Sequence, residues 1–144
     1  MSCVLIIDDD DLVREIVKAM LVSEGHEVVL ALDGQDGIRQ FNNRRIDLVV
    51  CDVFMPNQDG IETLRELRRM NAGLPIVMMT GGATATQTET HNCPDVDFLR
   101  MTVLLGATKT IAKPFEVDEL VALVQRCLGS RTQASAAGSI AGCQ

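Results

Sequence analysis

Short apolar runs alternate with segments of helical periodicity along this chain, and most of the runs end in a polar residue. Apolar runs of this length, bounded by turn residues, are typical of buried strands in a parallel sheet. Strands are predicted at Val4–Ile7, Glu27–Ala31, Asp47–Asp52, Ile76–Thr80 and Thr110–Ala112. Apolar residues at helical spacing predict intervening helices at residues 11–24, 35–42, 61–70, 94–105 and 116–128.

The strand–helix alternation predicts an α/β fold. Right-handed crossovers give a doubly wound, five-stranded parallel sheet, most simply in the order 2-1-3-4-5, with five helices. A polar start at Glu27 favours an edge position for the second strand. In the first helix, Leu12, Ile16, Ala19 and Met20 lie near helical spacing.

Composition restricts the functions open to this chain of 144 residues, which is the length of one domain. We assign the domain to residues 1–129 and predict a flexible Ser/Ala/Gly-rich tail at residues 130–144. A net charge of -7 and the absence of Trp and Tyr argue against direct nucleic-acid binding. No apolar run approaches the ~20 residues that span a bilayer, and no signal peptide is evident. We therefore expect a cytoplasmic protein without membrane contact.

Polar residues follow four of the apolar runs, at the carboxyl ends of the predicted strands. These ends meet at one edge of a parallel sheet, and ligands bind there in folds of this kind. We therefore expect carboxylates, a hydroxyl and an ammonium group to share one crevice, as binding of a metal ion and a phosphoryl group requires. The residues are Asp8, Asp9, Asp52, Thr80 and Lys113.

Consecutive aspartates at residues 8–11 form the densest charge in the chain. Helix capping accounts for Asp10 and Asp11, because carboxylates bind the exposed N–H groups of a helix start. Asp8 and Asp9 close a buried strand instead, and neighbouring carboxylates repel each other unless a cation neutralises them. Metal binding is favoured over capping at Asp9, and both roles stay open at Asp8. Mg²⁺ is the expected ion because it prefers oxygen ligands.

The other strand-end residues have ordinary alternatives as solvated surface groups. At Asp52, the turn-rich residues 55–60 predict a tight loop that holds the carboxylate toward the crevice, where it can attack phosphorus and form an acyl phosphate. Thr80 precedes two glycines that allow close backbone approach, so its hydroxyl can donate to a phosphoryl oxygen. Lys113 precedes Pro114, and a cis bond between them is predicted to aim the ammonium group at Asp52.

Taken together, these residues resemble a response-regulator receiver domain, the phospho-aspartate switch of two-component signalling. The resemblance covers about residues 2–128 and implies a flavodoxin-like fold. Because the tail is too short for an effector domain, we expect a stand-alone regulator of the chemotaxis or phosphorelay type. A fragment of a larger regulator is the open alternative. The matching motifs are Ile7-Asp8-Asp9-Asp10, Asp52-Val53-Phe54-Met55-Pro56 with Asp59-Gly60, Met79-Thr80-Gly81, and Lys113-Pro114-Phe115.

The resemblance implies that Asp52 accepts a phosphoryl group from a sensor histidine kinase or a histidine phosphotransfer protein. It also implies a downstream protein partner that binds the face formed by the fourth helix, the fifth strand and the fifth helix. No turnover of a small molecule is expected. Mg²⁺, with Mn²⁺ as a substitute, would be held by Asp8, Asp9, Asp52 and the main-chain carbonyl of Phe54. The phosphoryl group would be bound by Thr80, Gly81 and Lys113.

Two features depart from the family pattern. The family's switch aromatic lies three residues before the lysine, and here that position is Thr110. The aromatic half of the usual readout is therefore missing. The stretch between Thr80 and Lys113 is also longer than usual, with the excess at residues 81–93. This segment is either a tolerated surface insertion, since loop length costs little entropy, or a partner-specific element beside the signalling face.

Two other functions fit part of the pattern. A haloacid-dehalogenase-like phosphatase would use Asp8 as the nucleophile and Asp10 as the acid and base. That assignment leaves Asp52 and its loop unexplained, and no acidic strand-end motif follows Lys113. A pseudo-receiver would keep the fold as a binding module without phosphorylation. The complete set of acceptor, acidic pair, threonine and lysine argues against it.

Overall fold

The computed structural model describes residues 2–53, 60–80, 104–112, 115–116 and 118–129, with the Thr80 side chain excepted. Its strands are β1 (Cys3–Ile7), β2 (Glu27–Ala31), β3 (Leu48–Asp52), β4 (Ile76–Thr80) and β5 (Lys109–Ala112). Its helices are α1 (Asp11–Ser23), α2 (Gly34–Asn43), α3 (Gly60–Met70) and α4 (residues 118–129).

The strands form one parallel sheet in the order β2-β1-β3-β4-β5, which confirms the predicted topology. β2 lies at an edge, as its polar start predicted. The predicted helix at residues 94–105, apart from its last two residues, lies outside the described residues. So does the predicted tail, and the domain boundary at residue 129 stays a prediction.

Side chains of the central strands alternate between two apolar layers, because successive residues of a strand point to opposite faces. Val4 and Ile6 of β1 pack in one layer, whereas Leu5 and Ile7 pack in the other. The first layer contains the buried apolar side chains of α1 and α4, and the second contains those of α3. This covering of both faces leaves the carboxyl edge of the sheet as the place where polar side chains meet.

Helix α1 begins and ends where the sequence predicts, and its buried face includes only some of its apolar residues. Asp10 caps the helix by accepting from the amides of Leu12 and Val13. Leu12 and Ile16, two of the apolar residues near helical spacing, are 66% and 39% exposed. The buried residues instead follow the spacing of positions 14, 17 and 21. Any α-helix with apolar residues on several sides offers more than one such stripe, and packing against the sheet selects one.

Arg68, on the last turns of α3, ties three segments together at the amino edge of the sheet. Its guanidinium donates to the main-chain oxygens of Asn71, Ala72 and Leu74, which lead into β4. It also donates twice to the oxygen of Gly106, in the turn before β5. Partial burial lowers the pKa of this guanidinium, which stays charged at neutral pH. The side chain thus links α3, β4 and β5 through backbone oxygens.

Replacing Arg68 with methionine is expected to lower the free energy of unfolding by about 2 kcal/mol, because partly buried carbonyls lose a charged donor. Urea denaturation followed by circular dichroism measures the change. Arg65 and Arg69 on the same helix are exposed, so Arg65→Met and Arg69→Met serve as controls and should change stability by less than about 0.5 kcal/mol. Equal losses in all of the variants would show that the carbonyl contacts of Arg68 do not stabilise the fold.

Candidate functional site

Strand register places two of the predicted site residues side by side. Ile7, the last residue of β1, pairs with Cys51 of β3. The next residues along the two strands are Asp8 and Asp52, so parallel pairing brings both carboxylates to the same edge of the sheet. Both residues are buried, with exposures of 0% for Asp8 and 5% for Asp52. The ordinary alternative for Asp52, a solvated strand-end carboxylate, is therefore wrong.

Asp8, Asp9 and Asp52 form a compact group that we call the acidic triad. One carboxylate oxygen from each residue can be chosen so that all of them lie within 4.8 Å of one another. Asp9 is the exposed member and faces solvent at the mouth of the site. Hard oxygen donors with one open side suit Mg²⁺, which binds through one or two carboxylates and keeps several waters. The donor set thus fits the predicted metal ion.

Hydrogen bonds fix the connection between β1 and α1 around Asp8. The amide of Asp8 donates to the Ala31 oxygen at 3.2 Å, and its Oδ1 accepts from the Asp10 amide at 2.9 Å. Asp8 thus supports the turn that leads into α1 and also belongs to the triad, whereas Asp10 caps the helix. Metal binding by Asp8 stays a prediction. Arg14 donates to the Asp8 main-chain oxygen at 2.5 Å and forms an ion pair with Asp11.

Gly60 explains how the chain returns to Asp52 after the following loop. Its amide donates to the Val53 oxygen at 2.8 Å, so residues 53 and 60 close the loop between them. A Cβ at position 60 would lie 2.1 Å from the Asp52 main-chain oxygen and 2.5 Å from the Val53 Cα. Only glycine permits this approach of two backbones. The backbone at the start of α3 therefore packs directly against the backbone of Asp52.

The remaining predicted site residues lie wholly or partly outside the described part of the chain. The Thr80 backbone ends β4 and pairs with Ala112, the residue before Lys113. Its side chain lies outside what the structure describes, as do the whole residues Phe54, Gly81, Lys113 and Pro114. Their assigned roles, including the cis peptide bond before Pro114, stay predictions. The long segment at residues 81–93 also lies outside the described residues.

Thr110, at the position of the family's switch aromatic, lies on the edge strand β5. It is half-buried and pairs with Met78 of β4. The site therefore has a short polar side chain on the strand where the family pattern has an aromatic ring.

Sequence reasoning missed Arg14 as a member of this site. No role was assigned to it from the sequence, yet the residue is only 7% exposed. Position 14 shares the spacing of Val17 and Leu21, but only the packing of α1 on the sheet shows that this side of the helix is the buried one. An arginine on the buried stripe of a helix, directly after an aspartate cluster, indicates a guanidinium that turns back to the helix start.

Comparison with known proteins agrees with this geometry. The sequence model of the response regulator receiver domain matches residues 4–125. This chain belongs to the response regulator receiver domain family. Receiver domains are the signalling modules of two-component response regulators, and the fold and acidic triad described above are those of such a module. No described helix of this receiver domain is both long and apolar enough to cross a bilayer.

Several longer proteins contain a region similar to this receiver domain. Response regulator MprA of Mycolicibacterium vanbaalenii is 34% identical over 138 residues, which cover 96% of this chain and 55% of MprA. Regulatory protein AtoC of Escherichia coli is 33% identical over 126 residues, which cover 87% of this chain and 25% of AtoC. The chain thus spans about half the length of MprA and about a quarter of the length of AtoC.

Solved structures of receiver domains superpose on this one. The receiver domain of NtrX from Brucella abortus has a TM-score of 0.75 at 28% identity, covering 88% of this chain and 98% of that one. A CheY-like receiver domain protein of Methanospirillum hungatei has a TM-score of 0.79 at 25% identity, covering 93% and 98%. The likeness therefore extends over nearly the whole length of these isolated domains.

Proposed function

We propose that this receiver domain is a switch that accepts a phosphoryl group on Asp52 from a phosphohistidine. The observation that carries the proposal is the acidic triad, in which the buried carboxylate of Asp52 lies beside those of Asp8 and Asp9. A carboxylate at the end of a buried strand, with oxygen ligands for a cation next to it, has what phosphoryl transfer requires.

In the proposed reaction, a carboxylate oxygen of Asp52 attacks the phosphorus of phosphohistidine. An O–P bond forms, the N–P bond breaks, and the departing imidazole nitrogen takes the electron pair of that bond and a proton from solvent water. The burial of Asp52 holds the nucleophile in one direction and limits the access of water to the product. Thr80 and Lys113 are the residues that we expect to bind the phosphoryl oxygens, on the strength of their positions in the family motifs.

Asp8, Asp9 and Asp52, together with the main-chain oxygen of Phe54, would hold the divalent cation. Mg²⁺ bound there would supply positive charge to offset that of the phosphoryl oxygens. We expect Mn²⁺ to substitute, because it accepts the same oxygen ligands. The phosphoryl donor would be a sensor histidine kinase or a histidine phosphotransfer protein. We place the receiver domain in the cytoplasm.

The output of the switch would be a change of affinity for a protein partner. In a receiver domain, the partner surface includes the strand that carries Thr110, at the edge of the sheet. With threonine in place of the ring, phosphorylation is expected to change this surface without an aromatic side chain swinging inward. We propose that the population shift on phosphorylation proceeds through the Thr80 hydroxyl and the backbone of β4 and β5.

The test of the proposed function is intact mass spectrometry of the full chain after incubation with acetyl phosphate. We expect one phosphoryl adduct in the presence of Mg²⁺ and none in the presence of a chelator. The same reactions are assayed for continuous release of phosphate from a phosphomonoester. Steady turnover of that substrate would support the phosphatase alternative, and the absence of any adduct with Mg²⁺ would support a pseudo-receiver. Either result would contradict the proposal.

A further inference from the structure

Arg14 is a buried cation beside the acidic triad that the proposed reaction does not use. It extends from the first turns of α1, and its guanidinium reaches back to the end of β1. Its side chain is 9% exposed, whereas its ion-pair partner Asp11 is 88% exposed. An ion pair with so exposed a partner contributes little to stability. The interaction that accounts for the burial of Arg14 is therefore its hydrogen bond to the Asp8 main-chain oxygen.

That oxygen belongs to the peptide group that joins Asp8 to Asp9. Because a peptide group is planar, a donor that fixes its oxygen also fixes the direction in which the chain continues to Asp9. Asp8 itself is held by its amide and its carboxylate. Within the described residues, the exposed carboxylate of Asp9 accepts no hydrogen bond, so its direction depends on this peptide group. Arg14 thus constrains the backbone at Asp9, the triad residue whose carboxylate has no hydrogen-bond donor among the described residues.

The guanidinium reaches this position without bonding to a carboxylate of the triad. Within the part of the chain that the structure describes, its acceptors are the Asp8 main-chain oxygen and the Asp11 carboxylate. The planar fork of an arginine serves both acceptors at once, which the single ammonium group of a lysine on a flexible stem does less well. A cation can therefore use the triad carboxylates while Arg14 stays in place.

We propose that Arg14 is a positioning residue that raises the affinity of the acidic triad for a divalent cation by fixing the peptide group between Asp8 and Asp9. This inference rests on the proposed function, since it assumes that the triad binds Mg²⁺. It assigns to the buried arginine a role in metal binding that does not involve contact with the metal.

The direction in which the Mg²⁺ affinity changes when Arg14 is removed distinguishes a positioning role from a purely electrostatic one. A positive charge near a cation site repels the cation, so removal of Arg14 would tighten Mg²⁺ binding if charge alone mattered. Loss of the positioning contact has the opposite effect, because outer partners that orient metal ligands typically contribute about 10-fold or more to affinity. Weaker binding after the loss of a positive charge is therefore a result that a purely electrostatic role does not produce.

The experiment measures Mg²⁺ binding to the unphosphorylated full chain by isothermal titration calorimetry. Arg14→Met is expected to raise the Kd about 10-fold, and Arg14→Lys, which keeps the charge, is expected to raise it about 3-fold. Asp11→Asn removes only the negative charge of the exposed ion-pair partner, and Arg39→Met removes an ion pair of the same i,i+3 spacing on α2, with Asp36. Both controls should leave the Kd within about two-fold of the wild-type value.

A Kd for folded Arg14→Met that is unchanged or lower would overturn the inference. If that variant does not fold by circular dichroism, Arg14→Lys decides by the same criterion. In the wild-type chain, NMR should show restricted rotation of the Arg14 guanidinium, and free rotation would also overturn the inference. These outcomes are distinct from failure of the proposed function, in which the wild-type chain itself binds no Mg²⁺ or acquires no phosphoryl group.

Discussion

Asp52→Asn is expected to abolish the phosphoryl adduct completely while leaving the domain folded. Asparagine has nearly the same shape as aspartate, so the packing of this buried site is retained. Its neutral amide is not a competent nucleophile toward phosphorus, and the proposed reaction then has no acceptor. Intact mass after incubation with acetyl phosphate and Mg²⁺ measures the effect, and thermal unfolding verifies that the variant is folded.

Asp118→Asn is the matched control for this experiment, because Asp118 is an exposed aspartate on α4, remote in sequence from the triad. It should acquire the adduct as the wild-type chain does. An adduct that persists in Asp52→Asn would place the acceptor elsewhere. The haloacid-dehalogenase-like alternative requires a different pattern. Turnover of a phosphomonoester would then be lost in Asp8→Asn and retained in Asp52→Asn.

The sheet could be predicted from sequence because its residues leave few alternatives. Val4 to Ile7 and Leu48 to Cys51 are continuous apolar runs, which are stable only when both faces of the strand are covered. Helices between such strands force right-handed crossovers, and the carboxyl ends then lie at one edge. The proximity of Asp8 and Asp52 follows from this register alone. This part of the site was therefore predictable without any knowledge of side-chain packing.

The orientation of α1 and the role of Arg14 were not predictable in the same way. Apolar residues occur on more than one side of this helix, and the sequence alone does not say which side packs on the sheet. Leu12 and Ile16 lie near helical spacing with Ala19 and Met20, yet the structure exposes them. The choice depends on contacts between α1 and residues far along the chain, such as those of α4 in the same apolar layer. Such contacts leave no mark in local periodicity.

The contact between Gly60 and Asp52 was predictable in part. The two residues are close in sequence, and the Asp59-Gly60 motif is one of the turn signals that follow Asp52. A tight loop after Asp52 was predicted from the turn residues. The additional fact from the structure is the distance, because a Cβ at position 60 would overlap the backbone of Asp52 and Val53. Neither neighbour is the end of a flexible side chain, so relief requires a movement of the backbone that carries the proposed acceptor.

Gly60→Ala is therefore expected to impair both stability and phosphorylation. In an ordinary helix this substitution is favourable by about 1 kcal/mol, because alanine has the higher helix propensity. Here the forced backbone shift should reverse the sign and lower the free energy of unfolding by about 1–3 kcal/mol. The same shift moves Asp52 relative to Asp8 and Asp9, and since misplacement by about 1 Å can cost 10²-fold in rate, we expect phosphorylation to slow by at least about 10-fold.

Urea denaturation and the rate of adduct formation measure the two effects in the same preparation. Gly73→Ala is the matched control, because a Cβ at position 73 would meet nothing closer than the Asn71 side chain at 3.8 Å. Its stability should change by less than about 0.5 kcal/mol, and its rate should stay at the wild-type value. A Gly60→Ala variant that is more stable than the wild-type chain, and phosphorylated as fast, would show that the backbone of Asp52 accommodates a methyl group at no cost to the site.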